Sequence, residues 1–109
     1  MKLPLSATIS ASKLTDYLLR WRPENDKSGF LAKAGYTQAD ADQLEHDIRE
    51  QLLPQETKFE ATSEYGDMYS ITGPLSGPNG NTIRVISIWM IESGTGETKF
   101  ITLYPASEH

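Results

Sequence analysis

The period of the hydrophobic pattern changes once along this chain, at Lys58. Before it, apolar residues recur three or four positions apart, as on one face of a helix. After it, β-branched and aromatic residues alternate with polar ones between Gly, Pro and Asn turns. Helices followed by strands predict an α+β fold, with N-terminal helices packed on one face of a four-stranded antiparallel sheet. Because 109 residues suffice for one core, we expect residues 1–109 to form a single domain.

The first two predicted helices are short and amphipathic. One face of the first consists of Leu14, Tyr17, Leu18 and Trp21. This helix should end before Pro23, which restricts the residue that precedes it. The apolar residues of the second are Phe30, Leu31 and Ala34. Gly35 suits the left-handed conformation that follows a helix end, so the second helix should end there.

The third predicted helix has the clearest start signal. Thr37 and Asp40 have the spacing of a capping box, and Tyr36 and Ala41 are placed to form a hydrophobic staple around it. Its core stripe consists of Ala41, Leu44, Ile48 and Leu52. We expect it to end at Leu53, before a proline.

The strands are predicted near residues 58–64, 67–75, 81–91 and 98–104. The motif Pro78-Asn79-Gly80-Asn81 is typical of a two-residue hairpin turn, which would place Ile71 opposite Ile88. A second turn at residues 93–96 would place Ile88 opposite Ile101, and Trp89 opposite Phe100. The strand order is therefore predicted to follow the chain.

This register assigns every strand residue to one of two faces, because side chains alternate along a strand. The predicted buried face consists of Tyr69, Ile71, Leu75, Ile86, Ile88, Met90, Ile101 and Leu103. The predicted open face consists of Ser70, Thr72, Val85, Ser87, Trp89, Thr98, Phe100, Thr102 and Tyr104. The open face combines hydroxyl groups with aromatic rings on which a nucleobase could stack, so we expect any binding site there.

Metal and cofactor chemistry have no recognisable motif in this chain. His46 lies in an acidic helix and His109 is the last residue, so neither belongs to a zinc-ligand spacing. The glycines of the second half precede no helix and are typical of turns rather than of a phosphate-binding loop. We therefore expect no metal and no cofactor.

Charge and composition limit the partners and the compartment. The net charge is -5, and residues 37–66 hold eight acidic residues against two basic ones, which disfavours strong non-specific binding to nucleic acid. The chain has no cysteine, which fits a reducing cytosol. Pro4, Ser6 and Thr8 interrupt any signal-like apolar run, and no stretch approaches the ~18 residues that span a bilayer. We expect a cytoplasmic protein without a membrane segment.

The chain resembles a family of small, uncharacterised bacterial domains of unknown function. The residues that carry the resemblance are 13–19 (KLTDYLL), 26–36 (DKSGFLAKAGY), 77–80 (GPNG), 88–90 (IWM) and 98–105 (TKFITLYP). Members of the family occur beside genes that resemble toxin–antitoxin partners. The plan of helices, four strands and a Thr-x-Tyr-Pro ending is also similar to the superfamily of barnase, EndoU, the tRNase colicins and RelE-type toxins, which are metal-independent ribonucleases.

The resemblance implies a ribonuclease-like toxin domain in which the 2′-hydroxyl of RNA is the nucleophile. The catalytic residues would be Lys27 or Arg84 for charge stabilisation, Tyr104 for proton transfer and Thr102 for positioning. The substrate-binding residues would be Ser87, Trp89 and Phe100. Many relatives carry a histidine ahead of the lysine, whereas residues 21–27 contain none, so this chain departs from the pattern at the position used for acid–base catalysis.

A non-catalytic role is the alternative. An antitoxin, immunity or accessory module would bind a cognate protein encoded nearby instead of cleaving RNA. The acidic helix at residues 37–53 would be its natural surface, because a negative face can neutralise a basic partner. Cleavage of RNA and stoichiometric capture of a protein distinguish the two readings.

Overall fold

The computed structural model of the protein describes residues 2–10, 12, 14 and 28–106. Helix α1 spans Ser28–Ala32. A continuous helical segment then consists of a 3-10 turn at Gln38–Asp40, helix α2 at Ala41–Asp47 and a π-helical turn at Ile48–Leu52. The strands are β1 at Lys58–Ser63, β2 at Gly66–Ser76, β3 at Thr82–Glu92 and β4 at Thr98–Pro105. The antiparallel sheet has the order β1-β2-β3-β4, so the α+β class and the four strands are confirmed.

The predicted helix signals are confirmed where the structure describes them. The carboxylate of Asp40 accepts hydrogen bonds from the backbone N–H and the hydroxyl of Thr37, both at 2.8 Å. The backbone N–H of Leu53 donates to the carbonyl of Ile48 and closes the π-helical turn. Gly35 has a φ of 93°, the left-handed conformation expected after α1. The first predicted helix, apart from Leu14, lies outside the described residues, and so does its packing on the sheet.

The hairpin between β2 and β3 differs from the prediction by one residue. Gly77 and Asn81 form the last pair, so the loop holds three residues, Pro78, Asn79 and Gly80. The N–H of Gly80 donates to the carbonyl of Gly77, and Gly80 has a φ of 87°. This is the turn with a glycine bulge that three-residue hairpins favour. It pairs Ile71 with Ser87 instead of Ile88.

The one-residue shift turns β3 over, because side chains alternate between the faces of a strand. Val85, Ser87 and Trp89, predicted to be open, are 0% exposed. Ile86, Ile88 and Met90, predicted to be buried, are half-buried residues of the other face. The predicted exposure of β3 was therefore wrong at every one of these positions.

A bulge in β4 produces the second difference. Trp89 faces Phe100 as predicted, but Ile88 faces Thr102 because the register shifts between these two pairs. Phe100 and Thr98, predicted to be open, are buried, and Leu103 is buried as predicted. Ile101, predicted to be buried, is half-buried.

Residues of the helices and the strands share one hydrophobic core. Its strand members are Ile71, Leu75, Val85, Trp89, Phe100 and Leu103. Its helical members include Leu31 of α1 and Leu44, Ile48 and Leu52 of the longer helical segment. The last three confirm the predicted stripe of the third helix, whose fourth member, Ala41, is partly buried against the core. We call the strand surface that carries these buried side chains the core face, and the other surface the opposite face.

The N-terminal segment is joined to the outer edge of β4. Thr8 forms a parallel bridge with Lys99, in which its N–H donates to the carbonyl of Thr98 and its carbonyl accepts from the N–H of Phe100, both at 2.8 Å. The guanidinium of Arg49 donates to the carbonyl of Ala7 at 2.7 Å. The segment is thereby held between the helical segment and the sheet. No helix in the described ranges is long and apolar enough to cross a membrane.

Candidate functional site

The opposite face brings together three of the residues predicted to be catalytic. Tyr104 pairs with Ile86, and Thr102 pairs with Ile88. Arg84 lies two residues before Ile86 in β3 and therefore shares its face. Arg84 and Tyr104 are exposed, and Thr102 is half-buried. Adjacent strands thus place one guanidinium and two hydroxyl groups on the same surface.

An apolar strip runs through the centre of the opposite face. It consists of Ile86, Ile88 and Met90 on β3, all half-buried. Hydroxyl-bearing residues flank it on both neighbouring strands: Thr72 and Ser70 on β2, and Tyr104 and Thr102 on β4. Ser70, predicted to be open, is 4% exposed and donates its hydroxyl to Glu60. The face therefore offers an apolar strip with Thr72 on one side and with Thr102 and Tyr104 on the other.

Two further interactions organise the electrostatics of this face. The ammonium of Lys99 lies 2.9 Å from the carboxylate of Glu92. The hydrogen bond to Glu92 raises the pKa of Lys99, and the bond from Lys99, with a second from Thr95, lowers the pKa of Glu92. The opposite charges of Lys99 and Glu92 offset each other. Arg84, by contrast, is an exposed cation on the same face.

The predicted substrate-binding residues lie on the core face, and this placement corrects the sequence prediction. Ser87 and Trp89 are 0% exposed and Phe100 is 1% exposed. The indole and the phenyl ring pack edge to face with centroids 5.2 Å apart. The hydroxyl of Ser87 accepts from the indole N–H and donates to the carbonyl of Ile71. With both rings and the hydroxyl used inside the core, these three residues do not present a stacking surface.

Lys27, the remaining residue predicted to be catalytic, lies outside the described residues. The nearest described element is α1, which starts at Ser28. The role of Lys27 as a cation near the sheet stays a prediction.

The hairpin loop that carries the Gly-Pro-Asn-Gly motif contacts the end of α1. The side-chain amides of Asn79 and Asn81 both donate to the carbonyl of Lys33. A β-carbon on Gly77 would lie 2.0 Å from the carbonyl oxygen of Ala34, so this approach requires glycine. The loop therefore fixes α1 at one end of the sheet.

The acidic helical segment uses several of its carboxylates internally. Asp40 accepts from Thr37, and Glu45 lies 3.1 Å from the guanidinium of Arg49. The hydrogen bonds from Thr37 lower the pKa of Asp40. Asp42 and Glu50 are exposed carboxylates of the same segment. The surface available to a basic partner is thus smaller than the sequence suggests.

Tyr36 and Asp47 form a buried polar pair that the sequence did not predict. The hydroxyl of Tyr36 donates to Asp47 at 2.5 Å, and the amide of Gln43 donates to the other carboxylate oxygen at 2.9 Å. Tyr36 is 1% exposed and Asp47 is 7% exposed. Burial, followed by the hydrogen bond and the charge of Asp47, raises the pKa of Tyr36. The helical spacing could have predicted the burial of Asp47, because this residue lies three positions after Leu44 and therefore in the core stripe.

Metal ligands do not cluster in the described part of the chain. No group of three or more His, Asp or Glu residues there could hold a metal ion, and the chain has no cysteine.

Comparison with known proteins places the chain in a family. No curated protein matched it, and no solved structure matched it. Residues 4–107 match the family described as "Domain of unknown function (DUF6883)". Since this match covers nearly the whole chain, the protein belongs to the DUF6883 family.

Proposed function

We propose that this protein is a metal-independent, RNA-cleaving toxin domain of a bacterial toxin–antitoxin type system, and that the opposite face is its RNA surface. One observation carries the proposal. Arg84, Thr102 and Tyr104, all predicted from the sequence to be catalytic, lie together on adjacent strands of one face. The reaction class is inferred from the sequence, whose plan and Thr-x-Tyr-Pro ending resemble those of the barnase, EndoU, colicin and RelE ribonucleases.

The reaction is a transfer within the RNA. The 2′-hydroxyl oxygen attacks the adjacent phosphorus while the bond to the 5′-oxygen breaks, which yields a 2′,3′-cyclic phosphate and a 5′-hydroxyl. The hydroxyl of Tyr104 donates a proton to the leaving 5′-oxygen and regains the proton that the 2′-hydroxyl loses. Arg84 stabilises the charge that develops on the phosphate oxygens, and Thr102 positions the sugar.

Burial of Trp89 and Phe100 changes how a base would be held. The exposed ring of Tyr104, 38% accessible, and the apolar strip of Ile86, Ile88 and Met90 are the surfaces on which a base can rest. Such contacts do not read base edges. We therefore expect weak sequence preference from this face.

Incubation of the purified protein with a panel of tRNA and mRNA substrates tests the proposal. We expect cleavage with cyclic phosphate ends, in EDTA, because the proposed groups act as a cation and as hydroxyls rather than as metal ligands. Arg84→Ala, Thr102→Ala and Tyr104→Phe should each lower the rate ~10²–10³-fold. Lys2→Ala, which removes an exposed cation from the N-terminal segment, is the matched control and should leave the rate unchanged.

A partner-binding module is the second candidate, favoured by the net charge of -5 and by the exposed carboxylates Asp42 and Glu50. It predicts intact RNA at every protein concentration and a stoichiometric basic protein that co-purifies from the native host. Binding of that partner should weaken with salt and on reversal of Asp42 and Glu50. Intact RNA together with such a partner would replace the nuclease by this function.

A further inference from the structure

Among the described residues, strand β1 has no neighbouring strand on its outer edge. Its inner edge pairs with β2. The other edge of the sheet, at β4, is paired at one position, because Thr8 forms a bridge with Lys99 there. An edge strand offers unpaired N–H and C=O groups to another chain.

The position of β1 is fixed by contacts with its neighbours. The hydroxyl of Ser70 donates to Glu60 at 2.6 Å, and the hydroxyl of Thr62 donates to Asp67 at 2.9 Å. The carbonyl of Tyr65, just beyond the strand, accepts from the N–H of Ser93. A strand held in this way is ready to pair without further ordering.

The side chains of β1 remain accessible on both faces. All six residues of Lys58–Ser63 are exposed. Phe59 is 54% exposed, and its ring packs edge to face against Tyr69 with centroids 5.7 Å apart. This ring is a large apolar group at the very edge of the sheet, and a chain that pairs with β1 would bury it further.

The charges of β1 are complementary to a second β1 in antiparallel orientation. Lys58 and Glu60 flank Phe59 and lie on the same face as Ser70, since Lys58 pairs with Ser70 and Glu60 accepts from it. A twofold axis through Phe59 would place Lys58 of each copy opposite Glu60 of the other. A parallel arrangement in the same register would instead oppose like charges, which destabilises a strand pair.

We propose that β1 pairs with β1 of a second copy of this chain, antiparallel about Phe59, and forms a homodimer with one continuous eight-stranded sheet. The two Phe59 rings meet on the core-face side and two Lys58–Glu60 pairs form on the opposite-face side. One short strand from each chain makes a small contact, so the association depends on protein concentration.

Sedimentation of the intact protein over a dilution series tests this proposal. The mass should rise from 12.2 kDa for the monomer to twice that value. Lys58→Glu should weaken dimerisation about tenfold, because two attractive pairs become repulsive. The double variant Lys58→Glu with Glu60→Lys should restore it, while Lys33→Glu, the same change at an exposed position outside β1, should have no effect.

Cross-linking provides a readout that does not depend on charge. The chain has no cysteine, so Phe59→Cys introduces a single thiol at the proposed axis, where residues directly opposite are close enough for a disulfide. Oxidation should give a covalent dimer. Tyr65→Cys, at a more exposed position off the axis, should not. The register of β1 with β2 shifts between Phe59 and Ala61, which makes Glu60 a bulge. A protein that stays monomeric at every concentration would show that this bulge and the charges of β1 protect the edge instead. A dimer insensitive to Lys58→Glu would show that the chains associate through another surface.

Discussion

The indole N–H of Trp89 donates a hydrogen bond to the hydroxyl of Ser87, two residues earlier in the same strand, at 2.9 Å. The same hydroxyl donates to the carbonyl of Ile71 at 3.1 Å. Both side chains are fully buried, so this short chain of bonds satisfies the polar groups that the core face of β3 encloses. It also explains how a serine can lie in the core.

The first prediction concerns this serine. Ser87→Ala leaves the buried indole N–H without its acceptor and should lower the free energy of unfolding by about 1–3 kcal/mol. Urea denaturation measures the loss. Ser93→Ala, in an exposed turn, should stay within about 0.5 kcal/mol of the wild type. Equal effects for the two variants would argue against the buried bond.

The second prediction compares two neighbours in β3. Trp89→Ala removes a fully buried side chain and should cost about 3–5 kcal/mol, whereas Ile88→Ala removes a half-buried one and should cost clearly less. Thermal or chemical unfolding of both variants gives the ranking. The reverse ranking would support the register inferred from the two-residue turn.

Most elements of the fold could be predicted because their signals are local. The capping box at Thr37 and Asp40 and the four strands depend on short-range patterns, and the structure contains them. The register was less accessible, because a two-residue and a three-residue turn share the motif Pro78-Asn79-Gly80. A difference of one residue there reverses the faces of an entire strand.

The candidate site was predictable only in part for the same reason. The predicted register places Arg84 on the other side of the sheet from Thr102 and Tyr104. The bulge in β4 between the pairs of Ile88 and Trp89 shifts the pairing by one residue and brings all three onto one face. Trp89, predicted to be open, lies in the core, where its large ring contributes most to the buried area. Hydrophobicity alone does not decide which face of β3 is buried, since Val85 and Trp89 are as apolar as the isoleucines between them. Only the geometry of the turn decides which set of side chains faces the core.

The third prediction concerns the hairpin loop against α1. Gly77→Ala places a β-carbon against the carbonyl of Ala34 and should displace the loop, at a cost of about 1–3 kcal/mol for overpacking. Gly94→Ala meets open space, and its cost is limited to the strain of a φ of 88°, about 1–2 kcal/mol. Hydrogen exchange separates the two. Only Gly77→Ala should increase exchange at the N–H of Asn79, which donates to Ala34.

The fourth prediction follows from the raised pKa of Tyr36. In the unfolded chain a tyrosine loses its proton near pH ~10, whereas burial against Asp47 keeps Tyr36 protonated in the folded protein. The stability from this difference is fully present below pH ~10 and is lost above it, by up to about 1.4 kcal/mol per pH unit. Tyr36→Phe should remove this part of the alkaline slope, while Tyr65→Phe, at an exposed site, should retain it. Parallel alkaline slopes for wild type and Tyr36→Phe would contradict the assignment.

The central claim is that RNA contacts the opposite face of the sheet. Backbone amide chemical shifts of the labelled protein, recorded during titration with a short RNA bearing 2′-O-methyl groups, test it most directly, because this RNA lacks the internal nucleophile and stays intact. We predict shifts concentrated at residues 82–92 and 98–105, reduced by Arg84→Ala. Shifts centred on residues 41–52, or none at all, would contradict the claim.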